Sequence, residues 1–227
     1  MKDYYVRFPA LPLTRSDVMA RLAPVFQGEE VLPSDEDCEE LALEARLQMH
    51  VWTGRTAQCR GVAEALARAE DWQGVAIHFR YAVGPLHCSM SLLLWNYHRR
   101  DLTTVALYEP TDLFDLQKEH PAAWARARRL FLSMGRALEA SFCQLECDPD
   151  LGTPTLYEVS GVLERILTDG AVPYFLAARP EVLPEALDAV RAGPTCRVLR
   201  EQDYVVIEDA RMGTPGEEQD GGAGRPW

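Results

Sequence analysis

Residues 29–44, EEVLPSDEDCEELALE, hold eight carboxylates and neither Lys nor Arg. Carboxylates at that density suit a hard cation, acid–base catalysis, or a basic surface on another molecule. Asp35, Asp37 and Glu39 stand at alternate positions, as at the start of a calcium loop. However, Glu40 falls where the loop's turn needs Gly, and Arg46 falls where the loop needs its last carboxylate. Calcium is not expected. Zinc fares no better. Cys143 and Cys147 lack a matching His pair, and His87 and Cys88 are adjacent, so on a strand they face opposite ways. No metal and no cofactor is expected, and buried thiols are read as small apolar fillers.

Nucleophilic chemistry would need a base beside the nucleophile. Cys88 with His78 or His98 is the pairing that neighbouring strands could bring together. There is no Gly-x-Ser-x-Gly elbow, no Walker loop and no G-x-G-x-x-G after a strand. So many acids are present that drawing an acid–base pair from them singles out nothing. No catalytic residue is assigned. A small enzyme with a Cys/His or carboxylate centre remains the alternative reading, with a non-catalytic scaffold or adaptor as a third.

The distribution of charge says more. The chain has 35 acids against 23 Lys and Arg, a net −12. Residues 201–220 add seven acids and one base, so these two segments carry −14 and the remainder is close to neutral. A chain with this balance does not suit nucleic acid, which demands a basic face. It suits a basic protein partner. Acids at a helix start complement the macrodipole, but that accounts for two or three of the eight. Glu29, Glu30, Asp35, Glu36, Asp37, Glu39 and Glu40 are therefore the expected partner-binding residues.

The elements that must present these residues alternate between periods of two and 3.6. YYVRF reads as a strand, followed by a helix capped by Ser16 that buries Val18, Met19, Leu22 and Val25. Ser34 with Asp37 resembles a capping box, and Cys38, Leu41, Ala42 and Ala45 recur at helical spacing, so a second amphipathic helix is predicted there. RLQMHVW reads as a strand, 57–70 as a helix with Val62, Leu66 and Ala69 inward, and GVAIHFRY as a strand. HCSMSLLLWNY and TTVALYE, joined by HRRDL, make the clearest hairpin. Pro121 opens a helix with a stripe of Trp124, Ala127, Phe131, Met134 and Leu138. Arg126, Arg129 and Arg136 lie on its other side, read as a solvated face, with pairing to the chain's own acids as the alternative. FCQLEC, VPYFLAA, CRVL and YVVIED are strands; YEVSGVLERIL and PEVLPEALDAVRA are helices.

The predicted class is α+β, an antiparallel or mixed sheet with helices packed mainly on one face. The chain is 47% hydrophobic over 227 residues, enough for one core, and residues 1–212 are read as a single domain. The tail 213–227, Gly-rich and acidic, is expected to be disordered. No secretory signal and no apolar run long enough for a membrane span is found. The six scattered cysteines suit reduced thiols, so a cytoplasmic location is expected. A homodimer is compatible with all of this.

VPYFLAARPEVLP and CRVLREQDYVVIEDARM resemble the end of some bacterial immunity proteins, cytosolic inhibitors of toxins delivered by neighbouring cells. Tyr174 and Phe175 match an aromatic strand, Leu183 and Pro184 a Leu-Pro connection, and Tyr204 to Glu208 a closing strand. Val172 stands where that pattern has a tryptophan. The resemblance covers only this C-terminal part. It implies stoichiometric binding and obstruction, with neither catalysis nor a cofactor. It agrees with the acidic layout, because many such toxins are basic nucleases.

Overall fold

The computed structural model describes residues 3–9, 11–33, 40–48, 51–69, 72–83, 86–96, 103–110, 120–147, 174–183 and 196–209. Eleven strands among these form one sheet, and every pairing is antiparallel. They are β1 (Asp3–Arg7), β2 (Val31–Pro33), β3 (Leu41–Gln48), β4 (Val51–Cys59), β5 (Gly74–Val83), β6 (Leu86–Asn96), β7 (Thr103–Pro110), β8 (Phe142–Cys147), β9 (Phe175–Ala178), β10 (Cys196–Glu201) and β11 (Tyr204–Asp209). The order across the sheet is β10-β11-β9-β8-β1-β7-β6-β5-β3-β4, with β2 beside β5. The N-terminal strand thus sits mid-sheet, joining the β2–β7 half to the C-terminal strands.

Three helices, α1 (Arg15–Gln27), α2 (Val62–Arg68) and α3 (Pro121–Ala137), pack on one face. Alternation along each strand explains how that face is made. Val75, Ile77, Phe79 and Tyr81 of β5 and Cys88, Met90, Leu92 and Leu94 of β6 meet Leu22 of α1, Leu66 of α2 and Phe131 of α3 in one core. The intervening residues point to the other face. There Tyr5, Ala76, Leu93, Trp95 and Ala106 form one apolar cluster, and Phe142, Leu176, Ala178, Leu183, Val205 and Ile207 another. The sheet is apolar on both sides, which is why SLLLWN and FLAA read as continuous apolar runs.

The α+β class, the β6–β7 pairing and α3 with Pro121 at its first turn are as predicted. Other elements differ. Thr14, not Ser16, caps α1, in a reciprocal capping box with Asp17. Residues 41–45 are strand rather than helix, continuous with the strand expected from Arg46, with Leu41, Leu43 and Ala45 buried on the core face. Strand β4 runs on to Cys59, so α2 begins only at Val62, though Val62, Leu66 and Ala69 do point inward. β2 was not foreseen. The predicted helix 157–167 and the tail 213–227 lie outside the described residues, as does most of the predicted helix after Pro180, whose first residues form a short 3-10 turn, Pro180–Val182.

Candidate acidic interface and internal charge network

The acid-rich stretch is built around β5. Val31 to Pro33 pair with Tyr81 to Phe79, and Ala42 to Arg46 pair with His78 to Gly74. Pro33 is opposite Phe79 and Ala42 is opposite His78, the next residue of the same strand. β2 and β3 therefore occupy one row of the sheet, Pro33 and Ala42 standing opposite consecutive residues of β5. The sequence between Pro33 and β3, SDEDCEE, contains Asp35, Glu36, Asp37, Glu39 and Glu40 and no base. Asp35, Glu36, Asp37 and Glu39 lie outside the described residues.

The flanking acids divide by role. Glu29 is half-buried, accepts a hydrogen bond from Tyr81 Oη at 2.7 Å and lies 3.8 Å from Arg126 Nη2. Burial, then Glu29 itself, pushes the Tyr81 phenol above its ordinary range, so it stays a donor. Glu29 thus ties the chain entering β2 to β5 and α3. Glu30 and Glu40 are exposed. The Glu30 carbonyl accepts from the Ala82 amide at 3.1 Å, extending the β2–β5 ladder by one bond.

The second acid-rich segment turns inward. Glu208 is fully buried and accepts from Trp124 Nε1 at 3.2 Å, from Arg128 Nη1 at 3.2 Å and from Arg197. Arg128 also grips Glu201 with its Nε at 3.1 Å and with Nη2. Two carboxylates and two guanidiniums close a neutral network between α3 and the β10–β11 hairpin. Arg136 meets Asp203 at 3.0 Å at the surface. Asp209 is buried as well. Arg126, Arg128 and Arg136 of α3 thus pair with the chain's own acids, whereas Arg129 is exposed, in keeping with a solvated face. What was missed is Arg128, the most buried of them. Its signal was its place one residue after Ala127, inside the apolar stripe.

Cys88 is buried on the helix-covered face, whereas His78, ten residues back on the neighbouring strand, lies on the opposite one. The pair foreseen as an alternative catalytic centre cannot form across the sheet, and His98 lies outside the described residues. His87 is exposed and Cys88 buried, as their adjacency implied. Burial pushes the thiols of Cys59 and Cys143 up, and that of Cys196 to about 11 with help from Asp209 and Glu208. Each is held as the thiol rather than the nucleophilic thiolate. No group of three or more His, Cys, Asp or Glu that could hold a metal exists among the described residues. No described helix is long and apolar enough to cross a membrane.

Compared with protein-family models, curated proteins and solved structures, the chain gives no match.

Proposed function

We propose that the protein acts by stoichiometric binding, as an immunity-type inhibitor that neutralises a basic toxin in the cytoplasm by direct contact. The reading rests on one observation above all: Pro33 and Ala42 stand opposite the consecutive residues Phe79 and His78, so the acid-rich sequence between β2 and β3 is an insertion in one row of the sheet. A hydrophobic core does not require such an insertion, and concentrating like charges in it costs stability. It gains a purpose if the charge meets Arg and Lys on a partner, where it raises association rate and specificity. The commitment of Arg126, Arg128, Arg136 and Arg197 to acids elsewhere supports this, because those cations are engaged away from the insertion. Asp35, Glu36, Asp37, Glu39, Glu40 and Glu30 form the contact surface. Glu29 supports it from behind through Tyr81.

The test is capture from the native host at low and high salt, with wild type beside a D35K/E36K/E39K/E40K variant. One basic protein recovered at near-equal amount by wild type, and lost both in salt and with the variant, is the expected result. Recovery unchanged by charge reversal would reduce the insertion to a solvated loop and end this reading.

A further inference from the structure

We infer that Ser91 is an activated nucleophile, able to take up small acyl groups from activated esters on the sheet face opposite the helices. Three adjacent strands carry the arrangement. Ser91 of β6 stands directly across from His78 of β5, which stands directly across from Ala42 of β3, with Glu44 one step along the same face. Ser91 Oγ is 2.7 Å from His78 Nδ1. His78 Nε2 is 3.2 Å from Glu44 Oε2, close enough for strong attraction though off the hydrogen-bond direction. The carboxylate favours the tautomer with its proton on Nε2, which leaves the Nδ1 lone pair facing the Ser91 hydroxyl. That is a nucleophile in hydrogen-bond reach of a base, with a carboxylate beside the base's other nitrogen to bias its tautomer.

This deployment has no evident need in the fold. The β6 backbone is already paired on both sides. Ser91 itself is buried, and the open side of its strand lies toward Ser89 and His87. Leu93 and Trp95, next along the same face of β6, are buried in an apolar cluster, whereas Ser89 and His87 on the other side are exposed. His78 and Glu44 keep about a quarter of their side-chain surface open, at 27% and 26%. An acyl donor approaches over Ser89, and the covered apolar side limits the acyl group to a small one.

The step balances as an acyl transfer. Ser91 Oγ bonds to the ester carbonyl carbon while its proton passes to His78 Nδ1. The carbon–oxygen bond to the leaving group breaks, and the leaving alcohol takes that proton. Water then adds to the acyl-serine, gives a proton to His78, and the acid departs as Ser91 recovers it. Because β6 is a central strand, its amides are committed to β5 and β7 and form no ready oxyanion hole. Activity is therefore confined to esters with good leaving groups. His78 is the catalytic base and Glu44 a positioning residue.

The experiment uses the full chain with a fluorophosphonate probe and p-nitrophenyl acetate. Labelling mapped to Ser91 by mass spectrometry is expected. Ser91→Ala abolishes labelling, His78→Gln lowers the rate about a hundredfold or more, and Glu44→Gln lowers it less and shifts its pH profile. No labelling of folded wild type, labelling at another residue, or an unchanged rate in His78→Gln would each overturn the inference. Ser91→Ala retains capture of the basic partner, so failure here and failure of the inhibitor reading are separate results.

Discussion

Glu208 and Asp203 lie five residues apart, yet the same kind of ion pair carries different weight at each. Glu208 has no exposed surface and depends on Arg128, Arg197 and Trp124 for every hydrogen bond given above. Arg128→Met removes one charge and strands part of the other two carboxylate contacts, so it should cost about 3–5 kcal/mol. Arg136→Ala at a pair some 60% exposed should cost less than about 1 kcal/mol. Urea unfolding of both variants checks this; equal losses would mean the buried network carries no special weight. Gly135 illustrates shape rather than charge. A Cβ there would lie 2.8 Å from Tyr204 Oη, whose hydroxyl donates to the Ala140 carbonyl at 2.9 Å. Gly135→Ala should destabilise by about 1–3 kcal/mol. Adding Tyr204→Phe should recover only part of that, because the ring carbon Cζ remains 3.2 Å away. Full recovery would show that the hydroxyl alone sets the limit.

Segment 31–48 shows what an element's sequence does and does not declare. Cys38, Leu41, Ala42 and Ala45 fit a helical stripe, but Leu41, Leu43 and Ala45 fit alternation equally well. Leu43 separates the two: on the helix it would lie off the apolar stripe, and in the sheet it is fully buried. The helical reading lost because the ladders with β4 and β5 satisfy this backbone on both edges, which no local periodicity can register. α3 was legible because proline at its start, a long apolar stripe and a polar far side all agreed. The acids were legible as a cluster, but not their division into an insertion, a Tyr81 contact and a buried network. That division follows from strand order, which pairs residues far apart in sequence. It also yields an element-scale prediction. Replacing residues 35–39 with a Gly/Ser stretch of equal length should leave thermal stability and circular dichroism near wild type, since both anchors at β5 remain. Partner capture should vanish. A large loss of stability instead would mean these residues belong to the fold.

At the scale of the whole molecule, one sheet gathers strands from residue 3 to residue 209, and its core encloses groups whose neutral form the fold prefers. Tyr81, Tyr204, Cys59, Cys143 and Cys196 are all shifted upward, in each case with burial as the first cause. The sign of the consequence is fixed by linkage. A group whose ionisation is harder in the folded state than in the unfolded chain contributes stability that is complete below its ordinary titration range. That contribution is lost as pH rises, because the unfolded chain releases its proton first. For Cys196 the ordinary value is 9.0 and the folded value about 11, so its share declines across that interval. The tyrosines, with an ordinary value of 10.0, add their decline from there upward. Urea midpoints measured under reducing conditions should therefore change little between neutral pH and about 8, then fall steeply from about 9 toward 11. Cys196→Ser should make the first part of that fall shallower, Cys59 and Cys143 still contributing to it, and leave the later part in place. A midpoint that holds level through pH 11 would mean water reaches these groups, and that the double-sided apolar sheet is looser than its burial implies.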